Sequence, residues 1–134
     1  MTDCIFCTIA SGVISVPTVF ENDQLIAFID LHPLNPGHTL VIPKQHYTTF
    51  MDMPSEEFGP FMEIAHAIAQ KVHRAFPSER LGMVVKGFDV AHAHLHLFPQ
   101  LTTMDIMSKY SPDLPPQAST EEREAMAEKI RSVS

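Results

Sequence analysis

The chain has 134 residues, of which 45% are hydrophobic, and a formal net charge of −7 at pH 7. This length suffices for one domain with a hydrophobic core but not for two ordinary ones, so we expect a single domain over residues 1–134. The negative charge argues against nucleic acid as a partner, because backbone binding needs clustered Lys and Arg. Residues 1–16 lack the basic start of a secretory signal, and no apolar run approaches the ~20 residues of a membrane span. These features predict a soluble cytoplasmic protein without a membrane partner.

The first third of the chain predicts a short helix followed by three strands. Residues 4–10 form the helix or turn, which Ser11 and Gly12 end. The apolar stretches 18–20 and 25–29 flank a polar turn sequence, as in a strand-turn-strand hairpin. A third strand is predicted over 39–42.

One long helix is predicted between Ser55, as its N-cap, and Pro77. Gly59 and Pro60 interrupt the pattern near its start and leave the position of the first turn open. Apolar residues recur at helical spacing at Phe58, Phe61, Met62, Ala65, Ile68, Val72 and Phe76.

Two further strands are predicted over 81–86 and 92–98, joined by a tight turn at 87–89. Residues 101–118 are rich in Pro, Ser and Asp, which predicts an irregular arm that would be long enough to cover a site. A capping box at its end opens a C-terminal helix over 119–132. The sequence therefore predicts an α+β fold, with an antiparallel sheet, one long helix and a C-terminal helix.

Three histidines, His92, His94 and His96, occupy alternate positions between small and apolar residues. On a β-strand, alternate side chains share one face, so these imidazoles would point together into one site. The residues between and after them, Ala93, Leu95 and Leu97, would pack behind. Near pH 7 a neutral imidazole is a nucleophile, a proton carrier and a metal ligand.

Three interpretations of this pattern are open. A catalytic metal site usually adds a nearby carboxylate, and the residues after His96 supply none. In a covalent phosphoryl or nucleotidyl transfer site, one imidazole attacks phosphorus and its neighbours hold the phosphate oxygens. The strand could also be histidine-rich and inert.

The segment 92–98 resembles the signature of the histidine triad (HIT) superfamily of nucleotide hydrolases and transferases, which is His, apolar, His, apolar, His and two apolar residues. The segment 28–46 is similar to the upstream core of the family. The segment 4–9 is similar to the N-terminus of its bacterial members. Together the three segments span most of the chain in the order of the family.

The resemblance implies roles for individual residues. His94 matches the nucleophile and His96 the histidine that contacts phosphate, while His92 completes the catalytic triad and His38 helps to order it. Asp30 matches the acid that holds the ribose hydroxyls. Four residues match the apolar wall around base and sugar: Phe6, Ile9, Phe28 and Leu31. The alternative for Phe6, Ile9 and Phe28 is that each belongs to the ordinary core. The implied ligand is a purine nucleotide or a nucleotide conjugate, and the implied assembly is a homodimer.

The pair Cys4 and Cys7 adds a metal hypothesis. Two thiolates and two imidazoles make a closed tetrahedral zinc site, and the resemblance implies that Cys4, Cys7, His46 and His92 are its ligands. Such a zinc ion would be structural. The alternatives are two free thiols or, less in keeping with their position near the N-terminus, a redox pair.

The loop before the triad departs from the best-known branch of the family. That branch has a longer loop with an Asn near its start and a Gln and a Ser before the triad. Here Lys86 stands near the place of the Asn, and no Gln or Ser precedes His92. Lys86 would neutralise phosphate charge but lacks a directional hydroxyl for a leaving group. The favoured activity is hydrolysis of nucleoside phosphoramidates. The alternatives are cleavage of dinucleoside polyphosphates, and a nucleotide-binding or zinc-stabilised interaction protein with little turnover.

Overall fold

A computed structural model describes residues 4–102, 105 and 115–133. Within these residues the chain forms one five-stranded antiparallel sheet with the strand order β1-β2-β3-β5-β4. The strands are β1 (Thr18–Glu21), β2 (Leu25–Ile29), β3 (Thr39–Pro43), β4 (Arg80–Val85) and β5 (Leu95–Gln100). The helices are α1 (Ile5–Ala10), α2 (Ser55–Ala75) and α3 (Thr120–Ser132), with one 3₁₀ turn at Phe50–Asp52. The predicted α+β class is confirmed.

The central strands β2 and β3 are buried on both faces of the sheet, which explains why their sequences are continuously apolar. Alternate residues of β2 serve opposite faces. Ile26 and Phe28 pack with Phe6 and Ile9 of α1, whereas Leu25, Ala27 and Ile29 join the larger core beneath α2 and α3. The short α1 therefore covers one face of the sheet and the two longer helices cover the other.

The apolar stripe of α2 packs on the sheet as predicted, with Phe61, Ala65, Ile68 and Val72 buried. The predicted N-cap is wrong by one residue. Ser55 is the first helical residue, and Pro54 occupies the cap position without a side-chain cap. Pro suits this boundary because it needs no N–H partner. Pro60 is accommodated within the helix near its start.

The C-terminal helix α3 begins at the predicted capping box. The Ser119 hydroxyl accepts a hydrogen bond from the Glu122 backbone N–H at 3.0 Å, and the Glu122 carboxylate accepts one from the Ser119 N–H at 2.8 Å. Ala127 and Ile130 are fully buried in the larger core.

Much of the predicted irregular arm over 101–118 lies outside the described residues. Its last part contacts the loop that follows β2. The Ala118 N–H donates to the Leu31 carbonyl at 3.0 Å, and His32 Nδ1 lies 2.9 Å from the Pro115 carbonyl oxygen. These bonds join the start of α3 to the end of β2.

The prediction that all three triad histidines lie on one strand is wrong. Strand β5 begins at Leu95, so only His96 is in the sheet, where it pairs with Leu40 of β3. His92 and His94 lie in the irregular segment before the strand. The reason is a hydrogen bond outside the sheet ladder, in which the Ala93 N–H donates to the Tyr47 carbonyl at 2.7 Å. The apolar residues between and after the histidines nevertheless pack into the larger core, as expected: Ala93, Leu95 and Leu97.

Gly37, in the turn before β3, has a backbone conformation and surroundings that favour glycine. Its φ is +98°, and a Cβ there would lie 2.6 Å from the Phe76 ring. We expect Gly37→Ala to lower the free energy of unfolding by about 2–4 kcal/mol, from backbone strain plus overpacking. Gly12 also has a positive φ but has open space around it, so Gly12→Ala should cost only about 1 kcal/mol. Urea denaturation measures the free energy of unfolding of both variants. Equal losses of stability would contradict a clash between the added Cβ of Gly37→Ala and the Phe76 ring.

Candidate active site

A pocket of about 510 Å³ opens on the α1 side of the sheet. It gathers every residue predicted to bind substrate, together with two of the three triad histidines. These residues are Phe6, Ile9, Phe28, Asp30, Leu31, Lys86, His94 and His96. Of the other predicted histidines, His38 lies buried against His96, and His92 contacts the two cysteines. The predicted residues therefore lie together around one pocket and one adjoining cluster.

A relay of hydrogen bonds that starts at the backbone determines which ring nitrogen of His96 carries the proton. The Leu34 N–H donates to His38 Nδ1 at 2.9 Å, so the proton of the neutral His38 ring is on Nε2. That Nε2–H donates to His96 Nδ1 at 2.9 Å. The neutral His96 ring therefore carries its proton on Nε2. A phosphate oxygen in the pocket would accept a hydrogen bond from this group.

His94 has the opposite tautomer. Its Nδ1 lies 2.7 Å from the backbone carbonyl oxygen of His92, which can only accept, so Nδ1 carries the proton. In the neutral ring the lone pair is then on Nε2, which is buried. A positioned imidazole with this tautomer has a nucleophilic nitrogen directed at the pocket.

Asp30 is a buried carboxylate at the end of β2. One oxygen accepts a hydrogen bond from the His32 N–H at 2.8 Å. The other lies 3.5 Å from His38 Nε2 and 3.8 Å from His96 Nδ1. The carboxylate therefore both lines the pocket and contacts the His38–His96 pair behind it.

His92 faces away from the pocket and towards the N-terminal cysteines. Its Nε2 donates to the Pro43 carbonyl at 2.9 Å, which leaves the lone pair on Nδ1. That Nδ1 lies 3.3 Å from Cys4 Sγ and 3.6 Å from Cys7 Sγ, and His46 Nδ1 lies 3.2 Å from Cys7 Sγ. The four ligand atoms all lie within 4.8 Å of one another.

These separations fit a tetrahedral zinc ion. With Zn–S about 2.3 Å and Zn–N about 2.0 Å, neighbouring ligand atoms of such a site are roughly 3.5 Å apart. The bond from His92 to Pro43 fixes the ring with the correct nitrogen towards the sulfur atoms. The cluster of Cys4, Cys7, His46 and His92 could therefore hold a metal ion.

Protonation in this cluster follows from its surroundings. Burial raises the pKa of the Cys7 thiol to about 11, and the hydrogen bond and charge of Cys4 add to the effect. Burial lowers the pKa of His92 despite the opposing bond to Pro43, and neighbouring His46 and His94 add to the lowering. His92 is therefore a neutral ligand near pH 7, while Cys7 would lose its proton on binding a metal.

Two charged residues of the pocket were missed by the sequence interpretation. The Asp89 carboxylate lies 3.2 Å from His94 Nε2, without hydrogen-bond geometry, and 3.1 Å from Lys86 Nζ. The sequence analysis placed Asp89 only in a turn. Its position three residues after Lys86 was the feature that could have indicated an ion pair between them. Arg123 of α3 also lines the pocket. No local pattern could place a residue of the last helix there, because its position depends on tertiary packing.

A pocket lined by His94 and His96, beside a third histidine of the same segment, agrees with the resemblance of this segment to the histidine triad signature. Comparison with known families matches residues 11–103 to the HIT domain. The chain therefore belongs to the HIT family of nucleotide hydrolases and transferases.

Individual relatives agree with this assignment. The chain is 36% identical over 102 residues to an uncharacterized HIT-like protein of Methanocaldococcus jannaschii, covering 72% of this chain and 78% of the relative. It is 29% identical over 103 residues to the adenylylsulfatase HINT3 of Arabidopsis thaliana, covering 73% of this chain and 52% of the relative.

Solved structures show the same fold. The crystal structure of a Hit-like protein from Bartonella henselae has a TM-score of 0.84 at 30% identity, covering 97% of this chain and 95% of that one. A zinc-bound histidine triad family protein from Mycobacterium smegmatis has a TM-score of 0.76 at 26% identity, covering 97% and 91%. Among the residues described for this chain, no helix has both the length and the apolar character needed to cross a bilayer.

The tautomers can be tested without any substrate. We expect long-range ¹H–¹⁵N correlation spectra at neutral pH to show His94 protonated on Nδ1, and His92 and His96 protonated on Nε2, because their partners are fixed. Spectra of single His→Asn variants assign the signals. A proton on His96 Nδ1 would show that His38 does not donate to it.

Proposed function

We propose that this protein hydrolyses nucleoside phosphoramidates through a covalent nucleotidyl-histidine on His94. The observation that carries the proposal is the bond from His94 Nδ1–H to the His92 carbonyl, which leaves the Nε2 lone pair directed at the pocket. The adenylylsulfatase among its relatives supports hydrolysis of a nucleotide conjugate.

The reaction would proceed in two displacements at the α-phosphorus. In the first, His94 Nε2 forms a bond to phosphorus, the P–N bond of the substrate breaks, and the amine leaves with a proton taken from solvent. In the second, water attacks phosphorus and releases a proton to solvent, while the bond to Nε2 breaks and returns its electron pair to the ring. The products are one amine and one nucleoside monophosphate.

Other pocket residues would bind the nucleotide. The Nε2–H of His96 and the ammonium group of Lys86 would hold the charged phosphate oxygens. Asp30 would accept hydrogen bonds from the ribose hydroxyls. The base would lie against the apolar wall made by Phe6, Ile9, Phe28 and Leu31.

A His94→Asn variant tests the nucleophile. We expect it to lose turnover of an adenosine phosphoramidate by about a thousandfold or more, because no other group can form the intermediate. Intact-mass spectrometry after brief mixing should show a nucleotidyl adduct on the wild type alone. The exposed His66 of α2 provides a matched control, since His66→Asn should keep both adduct and turnover. Retained turnover in His94→Asn would contradict the assignment, whereas binding without turnover in the wild type would favour an interaction protein.

We also propose a structural zinc ion held by Cys4, Cys7, His46 and His92, supported by the fit of their ligand atoms and by the zinc-bound relative. Protein purified without added metal should contain about one zinc per chain by mass spectrometry, as four protein ligands saturate a structural site. Cys4→Ser and Cys7→Ser should lose the zinc and lower Tm, whereas His66→Asn should retain both. A wild-type protein without metal would contradict this site.

We propose that two copies of this single-domain protein associate through the edge strand β4. Its apolar Met83 and Val85 are exposed, and no other strand of the described residues pairs with its outer edge. Sedimentation velocity should give twice the 15.0 kDa chain mass, and Val85→Lys should shift the protein to monomer, because a buried lysine opposes association. A monomeric wild type would contradict the dimer.

A further inference from the structure

A second pocket, of about 460 Å³, lies beside the nucleotide pocket. Ile5, Asp89 and Val90 line both pockets, and His46 and Thr48 belong to the second alone. Because Asp89 Oδ1 is 3.2 Å from His94 Nε2, the two pockets meet beside the attacking nitrogen. With phosphorus at Nε2, a substituent of the departing amine would be near enough to reach Asp89 and the second pocket.

The two pockets differ in charge. Lys86 lines the nucleotide pocket and not the second one. Among the described residues that line the second pocket, Asp89 is the only carboxylate, and none is Lys or Arg. A zinc ion on the neighbouring cluster would not reverse this, since two thiolates offset its charge.

The Asp89 carboxylate is ionised near neutral pH. Burial by itself raises its pKa, but the hydrogen bond from Lys86, the proximity of His94, the charge of Lys86 and its own backbone outweigh that effect, so the pKa is below its ordinary value. The second pocket therefore contains one ionised carboxylate, which is paired with Lys86 on the nucleotide side, and, in the part of the chain that the structure describes, no Lys or Arg of its own that would attract an anion.

We propose that the second pocket binds the departing amine, and that Asp89 selects amines carrying a positive charge over anionic leaving groups. The inference rests on the proposed function and adds a substrate class to it. A cationic amine would place its ammonium group against Asp89. A carboxylate or a further phosphate would place a second negative charge there, which the carboxylate repels. The covalent steps are those given above, and Asp89 takes no part in the transfer of atoms.

The division of charge explains how a carboxylate can lie so near the place of a phosphate. Lys86 Nζ, 3.1 Å from Asp89 Oδ2, supplies the positive charge for the phosphate oxygens on the nucleotide side. Asp89 would then contact the leaving group on the other side. The pair would thus distinguish the two ends of the P–N bond.

Three adenosine monophosphate amidates of similar size test the proposal. They carry 1,3-diaminopropane (cationic), n-butylamine (neutral) or β-alanine (anionic) as the amine. With the wild type we expect kcat/KM for the cationic amidate to exceed that for the anionic one by about tenfold. This ratio combines the attraction of Asp89 for the cationic amine and its repulsion of the anionic one, each with the strength of a partly exposed charge contact. Asp89→Asn should bring the ratio close to one, while the neutral amidate changes far less than the ratio does.

Glu79→Gln provides the matched control, because it removes one carboxylate at the opposite end of β4, where the side chain is exposed. It should keep the wild-type ratio. A wild type without charge preference, or an Asp89→Asn variant with an unchanged ratio, would overturn the inference.

The same amidates separate this inference from the proposed function. If the wild type hydrolyses none of them, the proposed function is wrong. Calorimetry on the wild type and Asp89→Asn then measures Kd for the three intact amidates. Tighter binding of the cationic amidate that disappears in Asp89→Asn would still support the pocket, and equal Kd values in the wild type would overturn it.

Discussion

The site depends on how the backbone holds each triad imidazole. The His92 carbonyl accepts a hydrogen bond from His94 Nδ1–H, and the Pro43 carbonyl accepts one from His92 Nε2–H. The Leu34 N–H fixes the tautomer of His38, which in turn donates to His96 Nδ1. In three chemically identical side chains, these bonds place the proton on Nδ1 of His94 and on Nε2 of His92 and His96. Under the proposed function, the His94 lone pair would attack phosphorus, the His96 proton would contact a phosphate oxygen, and the His92 lone pair would bind a metal. The fold would then assign these roles.

The short helix α1 links the pocket to the cysteine cluster. Phe6 packs edge-on against both His94 and His92, with ring centroids 5.1 and 5.8 Å apart. Cys4 caps the helix by accepting the Cys7 N–H, and both sulfur atoms contact His92. A metal ion on these sulfur atoms would hold α1, and with it the apolar wall, against the triad segment. A structural metal would in this way affect nucleotide binding without taking part in the chemistry.

Sequence patterns were informative where local periodicity decides the structure. The continuous apolar runs of β2 and β3, the stripe of α2 and the capping box at Ser119 each follow from neighbouring residues. The triad segment was the exception. Its alternating pattern predicted a strand from His92, yet the strand begins at Leu95, because the Ala93 N–H bonds to Tyr47 instead of a sheet neighbour. Because Ala93 and Tyr47 are 46 positions apart, no periodic pattern in the sequence predicts this bond.

The sequence by itself determined the fold class, the family and the residue types of the site, since these depend on hydrophobic period and on motifs a few residues long. Tertiary structure decided the tautomer of each histidine, the contact of Asp89 with both Lys86 and His94, and the place of Arg123 at the pocket. These features depend on hydrogen bonds and charges between residues that are distant in the chain, or on a backbone path with no repeating pattern. Only the packed molecule brings such groups within the few ångströms over which they act.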